Sequence, residues 1–294
     1  MNSLKERLIK YAFTAMGYLS LLLLFGIMAV LFIESRPAVK ELNILNFLFG
    51  PQWRPARTPA EYGILPLIAG SLSVSFGAIS ICVPLGAGAA LYLNELAGET
   101  QRRVLKPVIE ILAGIPSIIF GFFGLVAVAP FLQETFNLPV GVCLFTASIV
   151  LGIMTIPAIT TICEDALSFV PRSFKEASFA MGANRWQTLT KVTIPAAGSG
   201  ICTAIILGIG RLMGETMSVL MVAGGAAVIP KSIFSPVRPM TAAIAAEMGE
   251  AARGSMHYSA LFLIGLVLFL ITLALNILSE HISKKYRLKL GQGR

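Results

Sequence analysis

Long apolar stretches alternate with short polar segments along the chain, and each stretch is long enough to cross a membrane. A membrane-spanning helix needs about 20 predominantly apolar residues, so each stretch predicts one transmembrane helix. We therefore predict an all-α protein, a polytopic membrane bundle of about six helices that forms a single domain over residues 1–294. The predicted spans are roughly residues 11–33, 65–93, 108–132, 141–162, 199–223 and 258–279.

The composition supports a membrane protein. The chain is 56% hydrophobic and only 13% charged, whereas soluble domains carry about 25% charged residues. Its net charge of +8 is interpreted as a topology signal, because basic residues collect in cytoplasmic loops. The segment before the first stretch, segments 94–107 and 163–198, and the tail 280–294 together hold 15 lysines and arginines, whereas the segments on the other side, 34–64, 133–140 and 224–257, hold 7. Both termini are therefore predicted to be cytoplasmic.

Several functional classes find no support in the residues. Lysines and arginines are not clustered among aromatic residues, so no nucleic-acid partner is expected. Nucleotide-binding and nucleophile motifs are missing, and the four cysteines lack metal-ligand spacing. We predict no catalytic residue, no metal and no cofactor. His257 is expected to have only an interfacial role at a span end.

The segment 172–195, called the docking loop below, predicts two helices joined by a glycine turn. Ser173 and Glu176 have the spacing of a capping box that starts the first helix. Gly182 can end that helix because it tolerates a left-handed conformation. Asn184 is placed to cap a second helix, which we expect Pro195 to close. The loop should protrude into the cytoplasm.

The spacing in the docking loop resembles the EAA loop of ABC-importer membrane subunits, whose pattern is E-A-A-x3-G-x9-I-x-L-P. This resemblance implies a type I ABC-importer transmembrane domain, with the loop lying in a groove of a separate ATP-binding subunit. The matching positions are Glu176, Ala177, Gly182 and Pro195, and the conservative departures are Ser178, Val192 and Ile194.

Arg211 and Glu215 stand inside the fifth apolar stretch, four residues apart. That spacing predicts that they share one face of a helix. A lone charge at mid-bilayer costs about 2.5–3.5 kcal/mol on insertion scales. The two residues could therefore form a neutral structural pair. Alternatively, Arg211 could offer its guanidinium to a passing anion, which Glu215 then holds or releases.

Two other charged segments carry simpler expectations. Lys106 and Glu110 have the spacing of an ion pair at the boundary of the third span. Between Pro239 and Gly254 the sequence predicts a short outer helix that carries Glu247 and Glu250. This helix could meet a partner or cap the bundle.

The segment from Arg211 to Gly225 is similar to the signature of phosphate-importer permeases. Nearly the whole chain shares the resemblance, which favours the C type of the two paired permeases because Gly-Glu-Thr-Met precedes Val-Leu-Met-Val. Sulfate and molybdate permeases carry Glu-Phe-Gly at the equivalent place, which this chain lacks. Other matching stretches are Phe49-Gly50-x-x-Trp53, Gly63–Gly70, Asn94–Ala97, Lys106–Ser117 and Glu247–Ala251.

The resemblance implies a set of partners in the plasma membrane of a prokaryote. They are a second permease, two copies of an ATPase that binds the ATP, and an extracytoplasmic phosphate-binding protein. Arg211 and Glu215 would line the substrate path. Three alternatives stay open at this stage: import of another oxyanion such as sulfate or molybdate, secondary anion transport without an ATPase, and a membrane anchor or sensor in a phosphate-signalling complex.

Overall fold

The computed structural model describes residues 3–289, and these fold almost entirely into helices. The α-helices are α1 (Ser3–Glu41), α2 (Ile44–Phe49), α3 (Leu65–Leu91), α4 (Glu99–Ala113), α5 (Ser117–Phe123), α6 (Ala129–Thr135), α7 (Leu144–Ser168), α8 (Arg172–Ala180), α9 (Arg185–Thr188), α10 (Ile194–Met213), α11 (Met217–Val222), α12 (Met240–Glu247) and α13 (Met256–Lys289). Three π-helical turns connect some of them, at Tyr92–Leu96, Gly124–Val128 and Leu189–Thr193.

Six helical segments within the described residues are long and apolar enough to cross a membrane, as the sequence predicts. The all-α bundle is therefore confirmed. The segments are Ile9–Glu41, Leu65–Leu96, Ser117–Thr135, Leu144–Ser168, Arg185–Met213 and Met256–Leu278.

Helix α7 forms the centre of the bundle. In its most apolar 18-residue window 61% of the residues are buried, whereas none of the corresponding window of α1 is buried. Small residues let α3 approach α7 closely. At Gly86, for example, an added Cβ would lie 2.8 Å from the Cβ of Ile159. Helix α10 packs on another side of α7, and α13 joins α10 to α1.

The third and fifth spans differ from their predicted boundaries. The third begins at Ser117 and not near residue 108, because Gly114-Ile115-Pro116 separates it from the amphipathic helix α4. In the fifth, a helix runs from Arg185 through a π-helical turn to Met213, and α11 follows as a separate short helix. The helical path is therefore interrupted just before the third span and just after the fifth, and membrane proteins tolerate such interruptions where protein surrounds them.

Two of the π-helical turns lie immediately before a proline. The N–H of Ala129 bonds to Gly124 O ahead of Pro130, and the N–H of Ile194 bonds to Leu189 O ahead of Pro195. Each turn shifts the hydrogen-bond register by one residue. The helix therefore continues past a residue that has no N–H to donate.

A second apolar core lies on the side of the bundle that holds segment 42–64. Asn43 caps α2 by accepting a hydrogen bond from Leu45 N at 3.0 Å. Strand β1 (Trp53–Arg54) then pairs antiparallel with β2 (Glu61–Tyr62). This hairpin and α12 cover the ends of the long helices. The core residues include Phe47, Trp53, Ile64, Leu67, Met240, Leu261 and Ile264.

Candidate docking and transport sites

Helix α8 begins differently from the prediction. Pro171 occupies the N-cap position, and no side chain caps the helix. The predicted capping box of Ser173 and Glu176 is therefore wrong. Proline sets its own backbone angle for helix entry, which places Ser173 inside the first turn. Glu176 and Ala177 are both exposed.

Gly182 ends α8 in the way its residue type predicts. Its φ is +82°, in the left-handed region. The N–H of Ala183 bonds to Ser178 O at 3.1 Å, and that of Gly182 bonds to Phe179 O at 2.9 Å. These two bonds form a Schellman motif, which satisfies carbonyls that the helix end leaves unpaired.

The start of α9 is also as predicted. Asn184 Oδ1 accepts a hydrogen bond from Gln187 N at 2.8 Å, and Gln187 Oε1 accepts one from Asn184 N at 3.0 Å. Pro195, however, does not close this helix. It lies in the first turn of α10, because the π-helical turn before it lets the helix continue. The half-buried Ile194 precedes it. The docking loop is therefore continuous with the fifth span.

Large apolar side chains are exposed on the docking loop, for which the basic residues predict an aqueous, cytoplasmic location. Such a cluster is typical of a surface that another protein covers. The exposed fractions are 48% for Phe174, 47% for Phe179, 88% for Met181 and 70% for Trp186.

Arg211 and Glu215 do not form the predicted helical pair. Helix α10 ends at Met213 and Gly214 caps it, so Glu215 lies beyond the helix. The ion pairs found among residues 3–289 do not join these two side chains. The exposed Arg211 guanidinium instead stands at the surface of the subunit, beside the break in the span.

Glu215 connects the two helices α11 and α12, which follow that break. Its carboxylate accepts a hydrogen bond from Ser218 N at 3.3 Å, in the first turn of α11. Its backbone carbonyl accepts one from the Thr241 hydroxyl at 2.7 Å, which connects it to α12. A carboxylate at the N-terminus of a helix also interacts favourably with the helix dipole. Glu215 therefore orients α11.

Glu247 is the centre of a polar cluster that the sequence does not reveal. Its carboxylate accepts hydrogen bonds from Trp53 Nε1 at 3.0 and 3.1 Å and from Arg238 Nη1 at 2.5 Å. His257 Nε2 lies 2.9 Å from its other oxygen, so the expectation that His257 is merely interfacial is wrong. The Glu247 carboxylate faces the bundle and joins α12 to the hairpin and α13. The short outer helix thus caps the bundle.

A second buried carboxylate lies at the docking-loop end of α7. Glu164, with a side chain only 3% exposed, pairs with Arg102 at 2.6 Å and with Lys106 at 3.1 Å. The predicted pairing of Lys106 with Glu110 is therefore replaced by a contact between α4 and α7. A buried carboxylate without a partner would be unfavourable, and here the charges of two basic side chains compensate it.

Comparison with known proteins identifies the family. The family described as binding-protein-dependent transport system inner membrane component matches residues 82–288, which include the docking loop and Arg211. The chain belongs to this family.

Individual relatives agree with that membership. The probable ABC transporter permease protein YqgH of Bacillus subtilis is 38% identical over 84% of this chain and 80% of its own length. The phosphate transport system permease protein PstC of Pasteurella multocida is 38% identical over 84% of this chain and 82% of its own. Among solved structures, a bacterial alginate ABC transporter aligns with a TM-score of 0.67 at 14% identity, covering 97% of this chain and 98% of that one.

As an inner-membrane component of a binding-protein-dependent system, the protein is a multi-pass membrane subunit. The structural similarity at 14% identity concerns the fold alone, and it covers the whole helical bundle. Permease subunits of this family work in assemblies. The exposed apolar side chains of the docking loop and the most apolar window of α1, in which no residue is buried, are surfaces that suit such an assembly.

Proposed function

We propose that this chain is a permease subunit of an ATP-driven importer of inorganic phosphate. The observation that carries the proposal is the similarity over most of its length to relatives named as phosphate transport permeases. Arg211 forms no ion pair with the side chains that the structure describes, and this cation near the end of a membrane-spanning helix supports an anionic substrate. The proposed cargo and the site chemistry therefore agree.

The proposed partners are a second permease, two ATP-binding subunits and an extracytoplasmic phosphate-binding protein. ATP would bind to the ATPase partner and not to this chain. The docking loop supports an ATPase contact because Phe179, Met181 and Trp186 are exposed on an aqueous segment. Glu176 is exposed on α8 three residues before Phe179 and would contribute a charged contact at the rim.

The continuous helix from the docking loop to Met213 suggests how ATP hydrolysis reaches the substrate path. A displacement of α8 and α9 would move α10, because Thr188 and Ile194 belong to one uninterrupted helical segment. The movement would arrive at Gly214, where the span breaks. Opening and closing at this break would alternate access to the site beside Arg211.

At that break, Arg211 would bind the anion and Glu215 would position the neighbouring helix. A guanidinium stays protonated and presents planar donors that match two oxygens of a phosphate. Because the Glu215 carboxylate accepts a bond from Ser218 N, its role would be to hold α11. A carboxylate placed directly on an oxyanion would repel it.

Uptake into vesicles would test the proposed substrate. The complex of both permeases and the ATPase is reconstituted with its binding protein and supplied with phosphate, sulfate or molybdate. We expect ATP-dependent phosphate uptake that neither other anion replaces. Uptake of sulfate or molybdate in place of phosphate would reassign the cargo. Uptake that needs a proton gradient and no ATP would instead identify a secondary transporter, and a complex that moves no anion would indicate a sensor.

A further inference from the structure

An ion pair joins the inner side of the docking loop to the second span. Lys175 Nζ of α8 lies 2.5 Å from Glu95 Oε1, which is 80 residues earlier in the chain. The two side chains are 23% and 19% exposed. Salt screens a partly buried pair less than a surface pair. The contact therefore links two segments that are far apart in the sequence.

Helix α8 carries half-buried and exposed residues on neighbouring strips of its surface. Lys175 and Ser178 are half-buried, and the Ser178 hydroxyl lies 2.9 Å from that of Thr188 in α9. Glu176 and Phe179 are exposed. Because residues at i and i+4 share a face of a helix, Lys175 lies close to Phe179. The half-buried lysine that contacts the membrane domain therefore stands next to the exposed surface proposed to meet the ATPase. A displacement imposed on that surface would reach Lys175 within one turn of α8.

Glu95 receives this contact at an irregular point of the second span. It lies in the π-helical turn Tyr92–Leu96, where the N–H of Ala97 bonds to Tyr92 O at 2.8 Å. The Tyr92 hydroxyl in turn donates to Gln101 Oε1 at 3.1 Å, in the first turn of α4. Isolated π-helical turns recur at functional sites. The pair therefore ends at the joint between the second span and α4.

We propose that Glu95 and Lys175 are positioning residues that transmit the movement of α8 to the second span, an inference that rests on the proposed function as an ATP-driven permease. The fifth span receives the movement directly, because the docking loop and α10 are consecutive in the chain. The second span is distant from the docking loop in sequence, so a contact between side chains has to transmit the movement to it. The ion pair supplies this second connection, and both spans would then move together.

The test compares transport with ATP hydrolysis in the assembled complex. Glu95→Gln and Lys175→Gln each remove one charge, and Glu99→Gln is the matched control because Glu99 is exposed. We expect both single variants to bind the ATPase as the wild type does. The amount of phosphate taken up per ATP hydrolysed should fall about tenfold. A factor of about ten corresponds to the lower end of the free energy that a hydrogen bond to a charged group contributes. The control should keep the wild-type ratio.

Exchange of the two charges separates a coupling role from general damage. Glu95→Lys combined with Lys175→Glu should recover most of the lost ratio, and Lys175→Arg, which keeps the charge, should stay near the wild type. Single variants with a wild-type ratio would overturn the proposal. So would single variants whose ATPase dissociates, because the pair would then serve docking alone. A wild-type complex that binds no ATPase or imports no phosphate would instead reject the proposed function itself.

Discussion

The Ser218 hydroxyl donates a hydrogen bond to the backbone carbonyl of Ser117 at 2.6 Å. Ser117 is the first residue of α5, directly after the interruption that precedes the third span, and Ser218 lies in the first turn of α11, directly after the interruption that follows the fifth. The two interruptions therefore meet. Gly121 allows this approach, since an added Cβ would lie 2.9 Å from Ser218 Cα.

Removing that hydroxyl should loosen the contact between the two breaks. We expect Ser218→Ala to lower the stability of the subunit by about 1 kcal/mol, the usual effect of one hydrogen bond between membrane helices, and to reduce uptake. The control is Ser80→Ala, because within residues 3–289 the Ser80 hydroxyl bonds to Phe76 O of its own helix and to no other helix. Thermal unfolding in detergent and vesicle uptake are measured for both. Equal behaviour of the two variants would contradict a special role for the contact.

A substitution at Gly182 should affect the turn through its positive φ and not through a steric clash of the new side chain. An added Cβ meets no atom within 4 Å at either Gly182 or Gly198, but only Gly182 has a positive φ. Gly182→Ala should therefore strain the turn by about 1–2 kcal/mol, whereas Gly198→Ala should be tolerated. We expect the Gly182 variant, and more strongly Gly182→Asp, to insert normally but to stimulate the ATPase less. The measurements are membrane insertion, co-purification of the ATPase and ATP hydrolysis. Normal coupling in Gly182→Asp would argue against docking through this loop.

Removing the charge of Arg211 should abolish phosphate uptake without preventing assembly. Because Arg211 and Glu215 form no ion pair, Arg211→Gln/Glu215→Gln should be as inactive as Arg211→Gln. A structural pair would behave in the opposite way, since removing both charges would leave none uncompensated. Uptake and subunit assembly are measured for the singles and the double.

The Glu215→Gln single variant tests the positioning role of that residue. A glutamine oxygen can still accept the bond from Ser218 N, so we expect partial uptake. Glu215→Ala, which removes the acceptor, should transport less. Wild-type uptake by the double variant of Arg211 and Glu215 would reject anion handling by Arg211.

The Glu247 cluster should matter for stability. Glu247→Ala leaves Trp53 Nε1, Arg238 and His257 without their shared acceptor. Loss of hydrogen bonds to a charged group predicts a decrease of about 2–3 kcal/mol in the free energy of unfolding. Glu250→Ala is the matched control, because Glu250 is exposed three residues later. Thermal unfolding of the purified complex should show a much larger shift for Glu247→Ala, and similar shifts would contradict the structural role.

The orientation in the membrane can be tested by labelling single cysteines in a chain whose native cysteines are replaced. Positions 102, 185 and 287 should react only from the cytoplasmic side, and positions 57 and 253 only from outside. The reason is the excess of lysine and arginine in the loops assigned to the cytoplasm. Intact cells and inverted vesicles are compared with an impermeant thiol reagent. Labelling of position 185 in intact cells would reverse the topology and remove the basis for an ATPase contact.

The fold class follows from the sequence because the apolar stretches are long. In a bilayer every backbone polar group must be satisfied internally, so a stretch of this length has to be a helix. Local sequence also predicted two ends of helices correctly. Gly182 ends α8 because a glycine accepts a positive φ. Asn184 caps α9 because its partner Gln187 is three residues later. Each of these features depends only on near neighbours along the chain.

Which charged and polar side chains contact each other was decided by the tertiary structure alone. The spacing of Arg211 and Glu215 indicates one helix face, but Gly214 ends the helix between them. Lys106 binds Glu164 of another helix, although Glu110 is close in sequence. Trp53 finds Glu247 across 194 residues. A charged side chain takes the partner that packing brings within reach, and a linear pattern of residue types does not contain that information.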